Sequence, residues 1–323
     1  MKDERQDWLL RRRSGIGGSD IAALLGISPW RTAFDIWQEK TSTGPVIDNP
    51  SVKMRIGTEL EPLAAKMYEE ETGRKTRKCN ILLRSGRLIG NVDRLCACED
   101  GSLPWTRKAG VRTNLALEIK TSSSLEEWDT VPRYYESQAQ HYMGLMPTVV
   151  AFDFPVLFVA RGTFRIYRIA RNDEAIAAMR EVAEKFWRNY VETNTPPPPQ
   201  DDEDAVKIFP RHEEGKVVVA DEELEEIIAK YRKAQDDMKQ AKSEADGLKL
   251  EIQKAMGSAE AIVTPDKRKL CTWKSGKDRL LTDWEGLSKF LGRMVAPAVL
   301  DAAMEQYSHT SPSPRTFRLS SGK

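Results

Sequence analysis

The chain has 323 residues, 40% of them apolar and 31% charged, with 50 Lys and Arg against 49 Asp and Glu. That suffices for one generous domain with an appendage or two modest domains, and the near-zero net charge argues against a protein that coats nucleic acid through clustered cations. No run approaches the ~20 apolar residues of a bilayer span, and the start MKDERQDW lacks the apolar region of a signal peptide, so a cytoplasmic protein with no membrane contact is expected.

Taken in chain order, residues 19–25 read as a short helix with Ser19 as N-cap and Gly26 as its stop, and Thr32-Ala-Phe-Asp35 as a capping box that opens a second helix reaching Lys40. A third helix is expected over 59–72, ended by Gly73. The hydrophobic period then shortens to that of strands over 81–84, 88–98 and 115–120, with a turn at Ser85-Gly86 and a loop through Trp105 to Thr113. A helix over 134–146, strands over 148–154, 156–160 and 164–169, and a closing helix over 173–192 complete a mixed α/β domain spanning residues 1–193.

Residues 194–204 hold four consecutive prolines and then an acidic run, the composition of an extended linker. Beyond it, residues 205–310 read as an accessory domain. Leu224/Ile227, Tyr231/Ala234, Met238/Ala241, Ala245/Leu248 and Ile252/Ala255 form an unbroken heptad seam over 221–256. Such a helix would be roughly 50 Å long, long enough to require a partner helix, and Gly257 stops it. A β-hairpin over 261–263 and 270–273 follows, then a possible strand at 316–319 within a tail of 311–323. The four cysteines (Cys79, Cys96, Cys98, Cys271) contain no C-x-x-C pair, so plain thiols fit better than a zinc site or a disulfide framework.

The chemically informative segment is Leu115-Ala-Leu-Glu-Ile-Lys120, where strand alternation puts Leu115, Leu117 and Ile119 on one face and Glu118 with Lys120 on the other. Asp93 in Gly90-Asn-Val-Asp-Arg94 and Glu61 at a helix start add two more acids. Mg2+ takes oxygen ligands, one or two of them carboxylates, beside waters and substrate phosphate, and Asp93 with Glu118 suits that. Lys120 would then orient or deprotonate a water activated by the cation. The same residues also fit a plain Glu118–Lys120 ion pair, an Asp93 turn cap and a Thr58-x-x-Glu61 capping box. Upstream, glycines before a helix expose backbone N–H groups, and Arg11, Arg12, Arg13 and Ser19 could hold a terminal 5′ phosphate there. Arg74, Lys75, Arg77 and Lys78 form a second basic cluster suited to duplex phosphates or simply to solvent. Trp30, Trp37, Trp105 and Trp128 could stack on unpaired bases or pack as rim residues.

The blocks Ile16-Gly-Gly-Ser-Asp-Ile-Ala-Ala-Leu-Leu-Gly-Ile-Ser-Pro-Trp30, Gly57-Thr-Glu-Leu-Glu61, Asn91-Val-Asp93, Leu117-Glu-Ile-Lys120 and Ser137-Gln-Ala-Gln-His-Tyr142 occur in this order. The stretch resembles the YqaJ-like viral recombinase family, which groups with phage lambda exonuclease in the PD-(D/E)XK nuclease superfamily. The resemblance implies a restriction-endonuclease-like core, a mixed central sheet flanked by helices. It also implies Asp93 and Glu118 as metal ligands, Glu61 as the helix acid near the metals, the main-chain carbonyl of Ile119 as a further ligand, Lys120 as the catalytic lysine and Gln138 beside the site, with Gln140 as the alternative in a shifted register. By the same resemblance the cofactor would be Mg2+ or Mn2+, two ions per site, and the activity a 5′-to-3′ exonuclease on double-stranded DNA ends. Its partners would be a phage single-strand annealing protein and further copies of the chain in a trimeric ring, inside a bacterial host. A structure-specific or restriction-type endonuclease and a non-catalytic DNA-end scaffold remain the alternatives. The loop 99–114 is longer than the family's usual link.

Overall fold

The computed structural model describes residues 10–44, 50–79, 81–98, 100, 102–106, 110–276, 281 and 283–308. The possible strand at 316–319 and the tail 311–323 lie outside the described residues. The chain divides into two compact units, Met1–Pro210 and Arg211–Lys323.

In the first unit, α1 (Gly18–Leu24), α2 (Ala33–Thr41) and α3 (Val52–Thr72) precede a run of short strands. Gly17 caps α1 and donates its N–H to the Asp20 carboxylate at 2.9 Å, so the expected Ser19 cap is replaced by a Gly17–Asp20 box that starts two residues earlier. The second cap is as read: Thr32 Oγ1 accepts from Asp35 N and Asp35 accepts from Thr32 N. Helix α3 begins seven residues before the expected start, at a Ser51 cap that accepts from Met54 N. Its first turns leave Val52, Met54 and Ile56 exposed, so no apolar stripe marks them in the sequence. Thr58 donates to Met54 O inside the helix and caps nothing.

The strands are β1 (Thr76–Lys78), β2 (Leu83–Ser85), β3 (Leu88–Gly90), β4 (Arg94–Cys96), β5 (Trp105–Thr106), β6 (Gly110–Val111), β7 (Leu115–Leu117) and β8 (Lys120–Ser122). Helix α4 (Arg133–Leu145) crosses over to β9 (Ala151–Phe158), which pairs with β10 (Thr163–Ala170) before α5 (Asp173–Phe186) and a π-turn at Trp187–Val191. Among the described residues the main sheet runs β1-β4-β7-β9-β10, with β8 also on β9. Pairs β1/β4, β4/β7 and β9/β10 are antiparallel, and β7 and β8 run parallel to β9. The fold is therefore the expected α/β class with a mixed sheet. Strand β9 runs straight through Pro155, where a break was expected. Register puts Leu117 beside Asp153 and Lys120 beside Val156. Pro155, which has no N–H to give, is thus level with Ile119, where the neighbouring strand is interrupted.

Helices cover both sheet faces. Leu95, Ala116, Phe152 and Phe154 pack with Ala139, Tyr142 and Met143 of α4, whereas Cys96, Leu115 and Leu117 pack with Tyr68 of α3, and Ile119 packs with Ala64 and Ala65. Asp153 is fully buried and takes a 2.7 Å hydrogen bond from Tyr68 and two from Arg168, which tie α3, β9 and β10 together.

Residues 194–204, expected as a linker, lie inside the first unit. The Gln200 amide oxygen accepts from Ala33 N at 2.7 Å, and buried Asp204, in α6 (Asp202–Ile208), accepts from Thr32 Oγ1 at 2.9 Å. Side chains that find a helix N-terminus override the linker composition. The second unit contains α7 (Glu222–Met256), capped by Asp221 and closed at Gly257, then the hairpin β11 (Ala261–Val263)/β12 (Lys269–Thr272), α8 (Trp284–Gly292) and α9 (Pro297–Tyr307). Leu224, Ile227, Met238, Leu248 and Ile252 of the heptad seam are exposed. No helix among the described residues is long and apolar enough to cross a membrane.

Candidate active site

The site forms where β7 breaks. After Leu117, Glu118 N still bonds Asp153 O on β9, but Ile119 N turns and donates to Asp93 Oδ2 at 2.8 Å. One backbone amide thereby ties the Asp93 segment to the E-x-K segment. Alternation survives the break, so Glu118 and Lys120 emerge together on the α4 face, with Lys120 Nζ donating to Glu118 Oε1 at 2.9 Å.

Helix α4 supplies the rest at helical spacing: Tyr135, Gln138 and Tyr142 share one face. Gln138 Nε2 donates to Glu118 Oε1 at 2.7 Å and to the Tyr142 hydroxyl at 3.1 Å, and Gln138 Oε1 accepts from Lys120 Nζ at 3.3 Å. The Lys120 ammonium also lies 4.5 Å from the Tyr135 ring centroid, a cation–π contact. Gln140 is structural, bonded to Ala170 O and Asn172 N. His141 is buried with Nε2 2.8 Å from Ile89 O, and burial pushes its pKa below the ordinary value.

Burial, then the Glu118 carboxylate beside it, pushes Asp93 up to about 8, against the pull of Lys120 and the Ile119 N–H. Burial opposes the Lys120 charge, yet Glu118 and Asp93 outweigh it and hold Lys120 above its usual pKa. Glu118 is 6% exposed, and its Oε2 is buried with no hydrogen-bond partner among the described residues. A carboxylate oxygen in that condition costs several kcal/mol unless a cation or donor meets it. The pair therefore fits a hard divalent cation. The Glu61 carboxylate faces Arg94 at 3.6 Å and Lys78 at 3.7 Å, its Oε1 is buried with no hydrogen-bond partner among the described residues, and its charge adds to the rise of Asp93. Among the described residues no three acids, histidines or cysteines converge, so the expected third acid is held by cations that strand register delivers.

A cavity of about 260 Å³ joins Asp93, Glu118, Gln138 and Tyr142 to Arg12 and Ser19. Arg12 donates to Ser19 Oγ at 3.2 Å. Burial opposes the charge of Asp20 below them, but Lys40 at 2.8 Å, with Arg12, keeps its carboxyl below the usual range. Of the expected phosphate-binding residues, Arg12 and Ser19 reach the cavity, Arg13 donates to Gly44 O, and Arg11 is exposed. Arg74, Lys75, Arg77 and Lys78 are exposed on and before the edge strand β1, with Lys75 3.3 Å from Glu69.

Tyr142 is wedged between two glycines. A Cβ on Gly18 would stand 2.6 Å from Tyr142 Cε1 and 3.1 Å from Gln138 Cγ, and one on Gly90 would stand 2.8 Å from Tyr142 Cδ1. Substitution Gly18→Ala should therefore cost about 1–3 kcal/mol of stability through overpacking. Thermal unfolding measures it, and an unchanged midpoint would contradict the wedge.

Fold and site together define an α/β protein with a D…E-x-K centre at a break in a mixed sheet. Residues 7–146 match the YqaJ-like viral recombinase domain. The chain is similar to the uncharacterized protein YqaJ of Bacillus subtilis (strain 168), at 29% identity over 268 residues, 79% of each chain. Among solved structures it is similar to the alkaline exonuclease LHK-Exo of Laribacter hongkongensis, with 18% identity, 58% of this chain and 93% of that one covered, and a TM-score of 0.45. A phage related exonuclease from Haemophilus somnus 129PT gives 14%, 56%, 95% and 0.40 for the same quantities.

Tyr135 and Tyr142 were not singled out in the sequence as site residues. Their signal is the i, i+3, i+7 spacing about Gln138.

Proposed function

We infer that the protein is a divalent-cation-dependent exonuclease that degrades one strand of duplex DNA from its 5′ end. The observation that carries this reading is the buried Asp93–Glu118 pair, with Glu118 Oε2 unpartnered, opening into the cavity that Arg12 and Ser19 also line. Asp93, Glu118 and the Ile119 carbonyl would hold Mg2+ or Mn2+, one or two ions. Such a cation lowers the pKa of water and offsets charge building on phosphate oxygens.

The chain's own groups do the rest. Lys120, an ammonium while both carboxylates face it, holds the attacking water or a phosphate oxygen by donating a hydrogen bond. It can take a proton only when the carboxylate charges that hold its own are offset. Gln138 clamps Glu118 and Lys120 in one geometry, and Tyr142 accepts from Gln138 so that the amide cannot turn. Arg12 and Ser19 take the terminal 5′ phosphate, which sets the end from which cutting begins. The 3′ strand left behind would suit a single-strand annealing partner, and a homo-oligomeric ring would keep the enzyme on its duplex.

The test is digestion of end-labelled linear duplex and of closed circles with Mg2+. Loss of 5′ label with circles intact is expected, and digestion of circles would move the reading to an endonuclease. Arg12→Ala should reduce the preference for 5′-phosphorylated over hydroxyl ends about tenfold, since a hydrogen bond to a charged group contributes ~1.5–3 kcal/mol. An unchanged preference in initial rates would remove Arg12 and Ser19 from the role.

A further inference from the structure

Of the tryptophans read as stacking candidates, three are tied into the fold. Trp37 donates to Tyr190 O, Trp105 packs against the central core, and Trp128 packs on Phe158 and Tyr167. Trp30 is 65% exposed. Its turn is nonetheless fixed, because Trp30 N and Arg31 N both donate to Ser28 Oγ. A large apolar ring held rigidly in water marks an interaction site more often than a packing accident.

The ring also belongs to a chain of contacts that ends at the candidate centre. Trp30 meets Tyr134 edge-on with centroids 4.9 Å apart and lies 6.0 Å from Tyr135. Tyr134 and Tyr135 are 4.5 Å apart, Trp128 backs Tyr135 at 5.4 Å, and Lys120 Nζ sits 4.5 Å from the Tyr135 centroid. Arg133, one residue before Tyr134, is exposed and makes no hydrogen bond or ion pair among the described residues. Aromatic faces next to cations are what a nucleotide requires, since bases stack in any sequence while phosphates seek the charge.

We propose that Trp30, backed by Tyr134, is a stacking platform for an unpaired base of the DNA strand being cut, continuous with the Lys120 centre. This rests on the nuclease reading above. A base held there keeps the terminal nucleotides apart from their complement while the adjacent phosphodiester lies near Lys120. The platform therefore selects frayed over fully paired ends.

The experiment is a cycle between protein and substrate. Binding is measured by fluorescence anisotropy in Ca2+, with the full chain and duplexes carrying two unpaired 5′-terminal nucleotides that are either intact or abasic. The wild type should bind the intact end about tenfold more tightly than the abasic one. Trp30→Ala should bind both alike, and Trp30→Phe should keep most of the difference. Hydrolysis of methyl p-nitrophenyl phosphate, which carries no base to stack, by Trp30→Ala in Mg2+ should match the wild type, which separates stacking from a disturbance of Lys120. An undiminished abasic discrimination in Trp30→Ala overturns the platform, as does a fall in ester hydrolysis with no change in discrimination. If the nuclease reading itself fails, the wild type cleaves neither DNA nor the ester, an outcome distinct from both.

Discussion

Replacing Lys120 by alanine should slow DNA cleavage by about 10²- to 10⁴-fold, the range for losing a positioned proton-transfer or charge-stabilising group. Affinity for DNA ends, measured in Ca2+, should stay within a few-fold, because Arg12 and Ser19 are untouched. The ammonium bonds Glu118 Oε1 at 2.9 Å and Gln138 Oε1 at 3.3 Å. Its removal leaves a buried carboxylate facing only an amide and Asp93, so the cation-free variant should also unfold more easily, by about 3–5 kcal/mol, as when one partner of a buried ion pair is deleted. Added Mg2+ should restore much of that loss while cleavage stays down. Lys120→Met, which keeps the bulk over Tyr135, checks that the effect is charge and not volume. Turnover at the normal rate in either variant removes Lys120 from the chemistry.

Chelation should silence the protein, and the way cation affinity depends on pH should identify Asp93. Its carboxyl, pushed up to about 8 by burial and by Glu118, must lose a proton for the cation to bind. Apparent Mg2+ affinity should therefore rise about tenfold per pH unit up to roughly pH 8 and then flatten. Folding stability in chelator should move the other way. Between about pH 4, where the unfolded group ionises, and about pH 8, the folded chain keeps a proton that the unfolded chain has lost. The folded state thus binds more protons, and stability falls as pH rises across that window. Asp93→Asn removes the ionising group, so at pH 8 in chelator it should melt higher than the wild type while cutting no DNA. Mg2+ affinity that does not change between pH 6 and 8 would refute the assignment.

Asp93, Glu118, Lys120 and Gln138 were legible because a period-two strand and a helix repeat decide which side chains share a face, and the break at Ile119 leaves the faces intact. The cations beside Glu61 were not, because Arg94 and Lys78 come from strands whose register depends on the finished sheet. The same limit applies to residues 194–204: proline and acid content says linker, while Gln200 and Asp204 find Ala33 and Thr32 far back in the chain. Ser19 lost its expected capping role to Asp20, which lies three residues beyond Gly17 and reaches its N–H. Of the three arginines at 11–13, only a helical rotation decides which one faces the cavity, and composition carries no such information. The heptad seam of α7 was read to within a residue at each end because its caps, Asp221 and Gly257, are local signals.

Tyr142 fills the slot between Gly18 and Gly90, so two hydrogen atoms set how near one helix can stand to its sheet. That clearance is passed along a single helical turn to the Gln138 amide and from there to the acids. Attempts to improve the protein by mutation have latitude around the cavity's rim, but at this seam even one methyl group shifts the parts on which everything else converges.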